Sequence, residues 1–169
     1  ADRILFVKPQ RVKGLDIFAR IARAMPERRF QVAGSVGWHA RQALGSLPNV
    51  ELLGWVHDMR KVYQRTRLVV GPSVWPEPFG RIFVEAAING IPSVASWTGG
   101  IPEAVGPGGI LVQDYLDPAA WVNAIRMLDD PHIYQDLSHK AAAYAEKFSP
   151  KRLYGEFQKI IKDTIGLSV

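Results

Sequence analysis

Short apolar runs alternate with longer helical patterns along this chain, and that alternation restricts its fold more than any other feature. Residues 4–7, 30–33, 50–53, 68–70, 93–95 and 110–112 read as strands. Between the first two, residues 15–25 place Leu15, Phe18, Ile21, Ala22 and Met25 on one helical face. Residues 38–46 are weakly helical, and residues 59–65 form a short helix. Beyond Asp117 the chain reads as helix, interrupted near Pro131 and Pro150. Strands that are apolar on both faces and alternate with helices belong in a parallel sheet. Right-handed crossovers then place helices on both sides. The expectation is an α/β fold: a doubly wound, Rossmann-like parallel sheet of about six strands, with residues 1–169 forming a single domain.

In such a sheet ligands bind outside the carboxyl ends of the strands. The unusual loops all follow strands: residues 8–14, residues 34–37, Gly54 with Trp55, residues 72–80 and residues 97–100. They are therefore expected on one rim.

The loop at 72–80 carries the most chemistry. Trp75 and Glu77 each precede a proline, which pushes both away from helical geometry, and Pro76 and Pro78 fix their own φ. Glu77 is thus held on a stiff, extended arm. Gly80 allows close backbone approach, and from there Ile82, Phe83, Ala86 and Ala87 repeat at helical spacing. An opening helix presents unpaired amides and the positive end of its dipole, a ready anion site. Glu85 lies about one and a half turns inside, eight positions after Glu77. An acid, an amide cluster and a second acid suit a ligand with a sugar, a phosphate group and a ribose. The plainer alternative is that Glu85 pairs with Arg81 four residues earlier and Glu77 is a solvated loop acid.

Several chemistries find no support. The segment after the first strand is KPQRVKG, not G-x-G-x-x-G, and there is no Walker A sequence, G-x-S-x-G elbow or H-E-x-x-H. The chain has no cysteine, which excludes disulfides, zinc–thiolate sites and a cysteine nucleophile. That composition fits a reducing compartment, no signal-peptide pattern or apolar run of 18 residues occurs, and a cytoplasmic location is expected. Asp58 is read as a helix cap and His57 as a loop residue beside it. The net charge of +5 comes from scattered basic residues. It reads as a soluble surface with a basic bias, compatible with phosphate-bearing ligands or loose peripheral contact with an anionic membrane. No aromatic–basic motif or helix-turn-helix accompanies it, so a nucleic-acid partner is not expected.

The ordered set of strand–Lys–Gly–Leu–Asp, Val-Ala-Gly, Pro-Asn-Val-x-x-x-Gly, Pro-Ser, E-x(7)-E, Gly-Gly-x-Pro-Glu and Gly-Gly-x-Leu-Val resembles retaining glycosyltransferases of the GT-B fold. The closest group is glycosyl transferases family 1, the glycogen-synthase-like and mannosyltransferase-like enzymes. The likeness covers the whole chain and matches the carboxyl-terminal, donor-binding half of such an enzyme, without the amino-terminal half that binds most of the acceptor. It implies transfer of a hexosyl unit from a nucleoside-diphosphate sugar with retention at the anomeric carbon, no metal and no cofactor, since the sugar nucleotide is a substrate. The isolated chain would then turn over little or nothing.

By the same resemblance Glu85 binds the ribose hydroxyls, Glu77 contacts the donor sugar and Lys13 neutralises the diphosphate. Amides around Phe79, Gly80 and Arg81 face the sugar and diphosphate, Gly34, Trp55 and Val56 frame the base, and Gly99 and Gly100 join the donor site. One departure stands out. The family usually has Gly-Arg after the first strand, where this chain has Lys8-Pro9, and Arg11 is the candidate replacement for the diphosphate-gripping arginine. Two rivals share the architecture or the ligand: a GT-B nucleotide-sugar epimerase, and a non-catalytic sugar-nucleotide module.

Overall fold

The computed structural model describes residues 1–165. In chain order the elements are β1 (Arg3–Val7), α1 (Leu15–Ala24), β2 (Arg29–Ala33), α2 (Trp38–Leu44), β3 (Val50–Gly54), α3 (Met59–Tyr63), β4 (Thr66–Gly71), α4 (Arg81–Ile88), β5 (Ser93–Ser96), α5 (Ile101–Val105), β6 (Gly109–Val112), α6 (Pro118–Met127), α7 (Pro131–Ala145) and α8 (Pro150–Ile165). The six strands form one sheet in the order β3-β2-β1-β4-β5-β6, and every pairing is parallel. The order reverses between β1 and β4. The helices that follow those two strands, α1 and α4, lie on opposite faces of the sheet, which leaves a crevice at the strands' carboxyl ends.

The strands are apolar because both faces are covered. Ile4 and Phe6 of β1 and Leu68 and Val70 of β4 pack with α1, α2 and α6. Leu5 and Val69, one position out of phase, pack on the other side with Tyr63, Phe83 and Ile101 from α3, α4 and α5. On the first side Phe6 stacks on Phe18 with centroids 4.4 Å apart, and Phe30 meets Phe18 edge-on at 5.5 Å. Trp121 is fully buried there, and its indole N–H donates to the Tyr115 carbonyl at 3.1 Å.

The expected elements are all present, with informative changes at their ends. β4 begins at Thr66, two residues before its apolar run, and α3 stops at Tyr63. The Thr66 hydroxyl donates to the Val62 carbonyl at 2.8 Å and accepts from the buried Gln31 side chain at 2.6 Å. A polar pair thus ends the helix and starts the strand. Pro131 and Pro150 open α7 and α8 rather than merely interrupting a helix, because the amide that proline lacks has no helical partner in the first turn. Asp58 caps α3 by accepting from the Arg60 amide at 3.1 Å, as read from the sequence. A single 3₁₀ turn over Arg11–Lys13 has no signal in the apolar pattern. Among the described residues, no helix is long and apolar enough to cross a membrane.

Candidate functional site

The loops after β1 and β4 are fastened to each other. The Val74 amide and the Ser73 hydroxyl both donate to the Val12 carbonyl, at 3.1 and 3.2 Å. Gly14 lies at φ 82°, and a methyl group there would come 1.7 Å from the Pro72 carbonyl oxygen. Only glycine combines that conformation with that approach. The interlock delivers Lys13 to Glu77, and Lys13 Nζ stands 2.9 Å from Glu77 Oε2 with the carboxylate side chain only 16% exposed.

The arm that carries Glu77 is supported from behind. The Gly100 amide donates to the Glu77 carbonyl at 2.7 Å. A methyl group on Gly99 would fall 2.4 Å from that same carbonyl oxygen, and one on Gly100 would fall 2.2 Å from the Pro78 carbonyl oxygen. The arm ends at Gly80, whose φ of 103° turns the chain into α4. Arg81 and Ile82 of the opening turn, and Glu85 one turn later, face the crevice.

Glu85 has two protein partners. Arg81 Nε lies 3.1 Å from Oε1, so the plain pairing with Arg81 is present, although that arginine is 85% exposed. The phenol of Tyr63 donates to Oε2 at 2.9 Å. Burial, followed by the charge of Glu85, pushes the Tyr63 phenol well above its usual pKa, so it stays a donor.

These groups line one cleft of about 310 Å³, within the range of small-molecule sites. Val7 and Lys8 enter from the end of β1, Ala33 and Gly34 from β2, and Trp55 and Val56 from β3. Met59, Tyr63 and Ile82 complete an apolar lining between the charged groups. The site therefore offers two carboxylates as acceptors, two ammonium groups beside a helix opening, and an apolar wall.

Seven residues singled out in the sequence converge on this cleft: Lys13, Gly34, Trp55, Val56, Glu77, Arg81 and Glu85. Five stand outside its lining. Arg11 points to Asp16, 4.0 Å away, and the cations that line the cleft from the same loop are Lys8 and Lys13. The Phe79 ring packs edge-on against Phe148 at 5.4 Å, and Gly80 is buried against Phe83 and Ala104. Gly99 and Gly100 back the Glu77 arm.

Sequence reasoning missed Tyr63 and Lys8. Tyr63 looks like an ordinary core position at the end of α3, and its one clue is that a buried phenol needs a partner. Lys8 is the one non-glycine residue at positive φ (58°) among the described residues. Its amide donates to the Ala33 carbonyl at 2.8 Å while its carbonyl accepts from Gln10 at 2.7 Å. A sequence pattern carries no trace of that backbone turn beyond the lysine occupying a position where the resembling family has glycine.

Known proteins place this cleft in context. The family model for glycosyl transferases group 1 matches residues 1–130. A D-inositol 3-phosphate glycosyltransferase from Corynebacterium diphtheriae is 29% identical over 180 residues, covering 95% of this chain and 42% of that protein. The structure of Anabaena HepE in complex with UDP-glucose superposes with a TM-score of 0.79 at 25% identity, over 98% of this chain and 48% of HepE. Sucrose-phosphate synthase from Thermosynechococcus elongatus gives 0.82 at 25% identity, over 99% of this chain and 46% of the synthase. The chain thus spans less than half the length of each of these proteins. With 130 of its residues matched by the family model and its fold shared with HepE and the synthase, the chain belongs to the glycosyl transferases group 1, of GT-B fold.

Proposed function

We propose that this chain is the donor-binding half of a glycosyltransferase that moves a hexosyl unit from a nucleoside-diphosphate sugar to an acceptor with retention of anomeric configuration. The observation that carries the proposal is the meeting of Glu77, Glu85 and Lys13 in a single cleft at the switch point of the sheet. Two structural neighbours add support, since one HepE complex holds UDP with glucose and another holds UDP-glucose.

In this reading Glu85 accepts from the ribose hydroxyls, and Trp55, Val56 and Gly34 frame the base. The diphosphate lies between Lys13, Lys8 and the opening turn of α4, with Glu77 at the donor sugar. Developing negative charge on the leaving diphosphate is met by Lys13, Lys8 and the positive end of α4, which is electrostatic stabilisation without a protein nucleophile. No cofactor enters the proposal. The acceptor is held mainly by a second half beyond these residues, so the chain alone binds nucleotide weakly and turns over little.

Calorimetric titration of uridine, guanosine and adenosine diphosphates against the matching nucleosides tests the site. Lys13→Ala is expected to weaken the diphosphate by about 10-fold and the nucleoside hardly at all. Lys8→Gly separates binding from folding. It relieves roughly 1 kcal/mol of left-handed backbone strain and gives up a similar amount of chain entropy. Stability is thus expected to hold within about 1 kcal/mol, while diphosphate affinity drops several-fold. Failure to bind any nucleoside diphosphate would remove the proposal.

The reaction itself is read in the complete two-half enzyme, by NMR of the anomeric centre of the product. A product of inverted configuration counts against retention, and an altered sugar formed with no acceptor present favours an epimerase.

A further inference from the structure

We infer that Tyr63 is a positioning residue of the ribose subsite, its hydroxyl holding the Glu85 carboxylate in the orientation that meets a vicinal diol. The inference rests on the donor-binding reading above.

Glu85 is a flexible side chain on the wall of an open cleft, and an unrestrained carboxylate would lose conformational freedom each time it closed on a ligand. It has two protein contacts. The pair with Arg81 is a surface pair, since Arg81 is 85% exposed, and such pairs fix little. Tyr63 is different. It is only 6% exposed, and it belongs to the buried cluster that includes Leu5, Ala33 and Val69 on that side of the sheet. Its hydroxyl reaches Glu85 Oε2 at 2.9 Å, so it ties the carboxylate to the rigid sheet.

The arrangement leaves capacity for a ligand. A carboxylate has about four acceptor positions. Tyr63 takes one on Oε2 and Arg81 sits beside Oε1 as an ion-pair partner, so each oxygen keeps a free position. Two acceptors on one rigid carboxylate match two adjacent hydroxyls. Tyr63 also lines the cleft, so its ring forms part of the surface against which the nucleoside would rest.

The competing account is that Tyr63 is a core ring whose hydroxyl takes the nearest acceptor. The two are separated by comparing UDP, GDP and ADP with their 2′,3′-dideoxy counterparts by calorimetry. Wild type, Tyr63→Phe, Glu85→Ala and the double variant are titrated, each melted first to check its fold. Wild type is expected to prefer the ribose form by at least about 10-fold, from the tenfold-per-1.4-kcal/mol relation applied to hydrogen bonds with a charged group. Tyr63→Phe keeps the ring, so it should fold normally and leave dideoxy affinity unchanged. It should weaken the ribose form by about 5-fold, so that the preference shrinks, and it should add nothing further in the Glu85→Ala background.

If Tyr63→Phe weakens both ligands equally, or leaves the preference intact, the positioning role is overturned while the donor site stands. If wild type and Glu85→Ala show the same preference, the ribose assignment of Glu85 itself fails, and this inference fails with it.

Discussion

Glu85→Ala is expected to lower the affinity for nucleoside diphosphates by about 10- to 150-fold, or roughly 1.5–3 kcal/mol. The loss has two parts. The ribose hydroxyls forfeit a charged acceptor, which is worth more than a neutral one. The orientation that the Tyr63 phenol gives that acceptor from 2.9 Å away is lost with it. Arg81 suffers little, because water solvates it in either case. Calorimetry with the diphosphate gives the number directly, and an unchanged dissociation constant would refute the ribose assignment. The variant also discriminates between classes of function. Were the cleft a nucleic-acid site attracted by the net charge of +5, removing a carboxylate would leave oligonucleotide binding unchanged or strengthen it.

Gly14→Ala is expected to cost about 3 kcal/mol or more of folding stability, among the larger effects a single methyl group can produce. The added carbon would stand 1.7 Å from the Pro72 carbonyl oxygen, in a backbone conformation at φ 82° that alanine already resists. The new carbon meets the Pro72 backbone itself, so no side chain can swing aside. Relief requires the β1 and β4 loops to part, and Lys13 then leaves Glu77. Diphosphate affinity should therefore fall together with the denaturation midpoint. Gly37→Ala is the control: a methyl group there meets nothing within 4 Å and the backbone is already extended, so its stability should stay within about 0.5 kcal/mol of wild type. Equal midpoints for the two variants would show that the loops are not interlocked.

The sheet was legible because its signal is repetitive. Ile4 and Phe6 face one layer and Leu5 the other, so the middle of β1 had to be apolar, and β4 repeats the requirement with Leu68 and Val70 against Val69. The convergence of Glu77, Glu85 and Lys13 was legible for a topological reason: in a parallel sheet every loop after a strand comes to the same rim. What stayed hidden depends on side-chain direction and backbone turns, which periodicity does not encode. The hydroxyl of Tyr63 and the ring of Phe79 lie on residues of similar character near the same rim, yet one reaches the cleft and the other packs on Phe148. Arg11 and Lys8 are three residues apart in a loop whose path is set by a 3₁₀ turn and a left-handed lysine. Counting residues could not decide which of the two enters.

The two glycines behind the Glu77 arm act as a mould, and their shape is set by missing atoms. The arm and the loop after β5 are consequently a matched pair, although the residues in contact lie 22 positions apart, Glu77 against Gly99 and Pro78 against Gly100. A chimaera that borrows the arm from a relative must bring the matching loop as well, or its carboxylate will stand out of place. Evolutionary tinkering with this end of the cleft is similarly confined to moves that keep both surfaces in step.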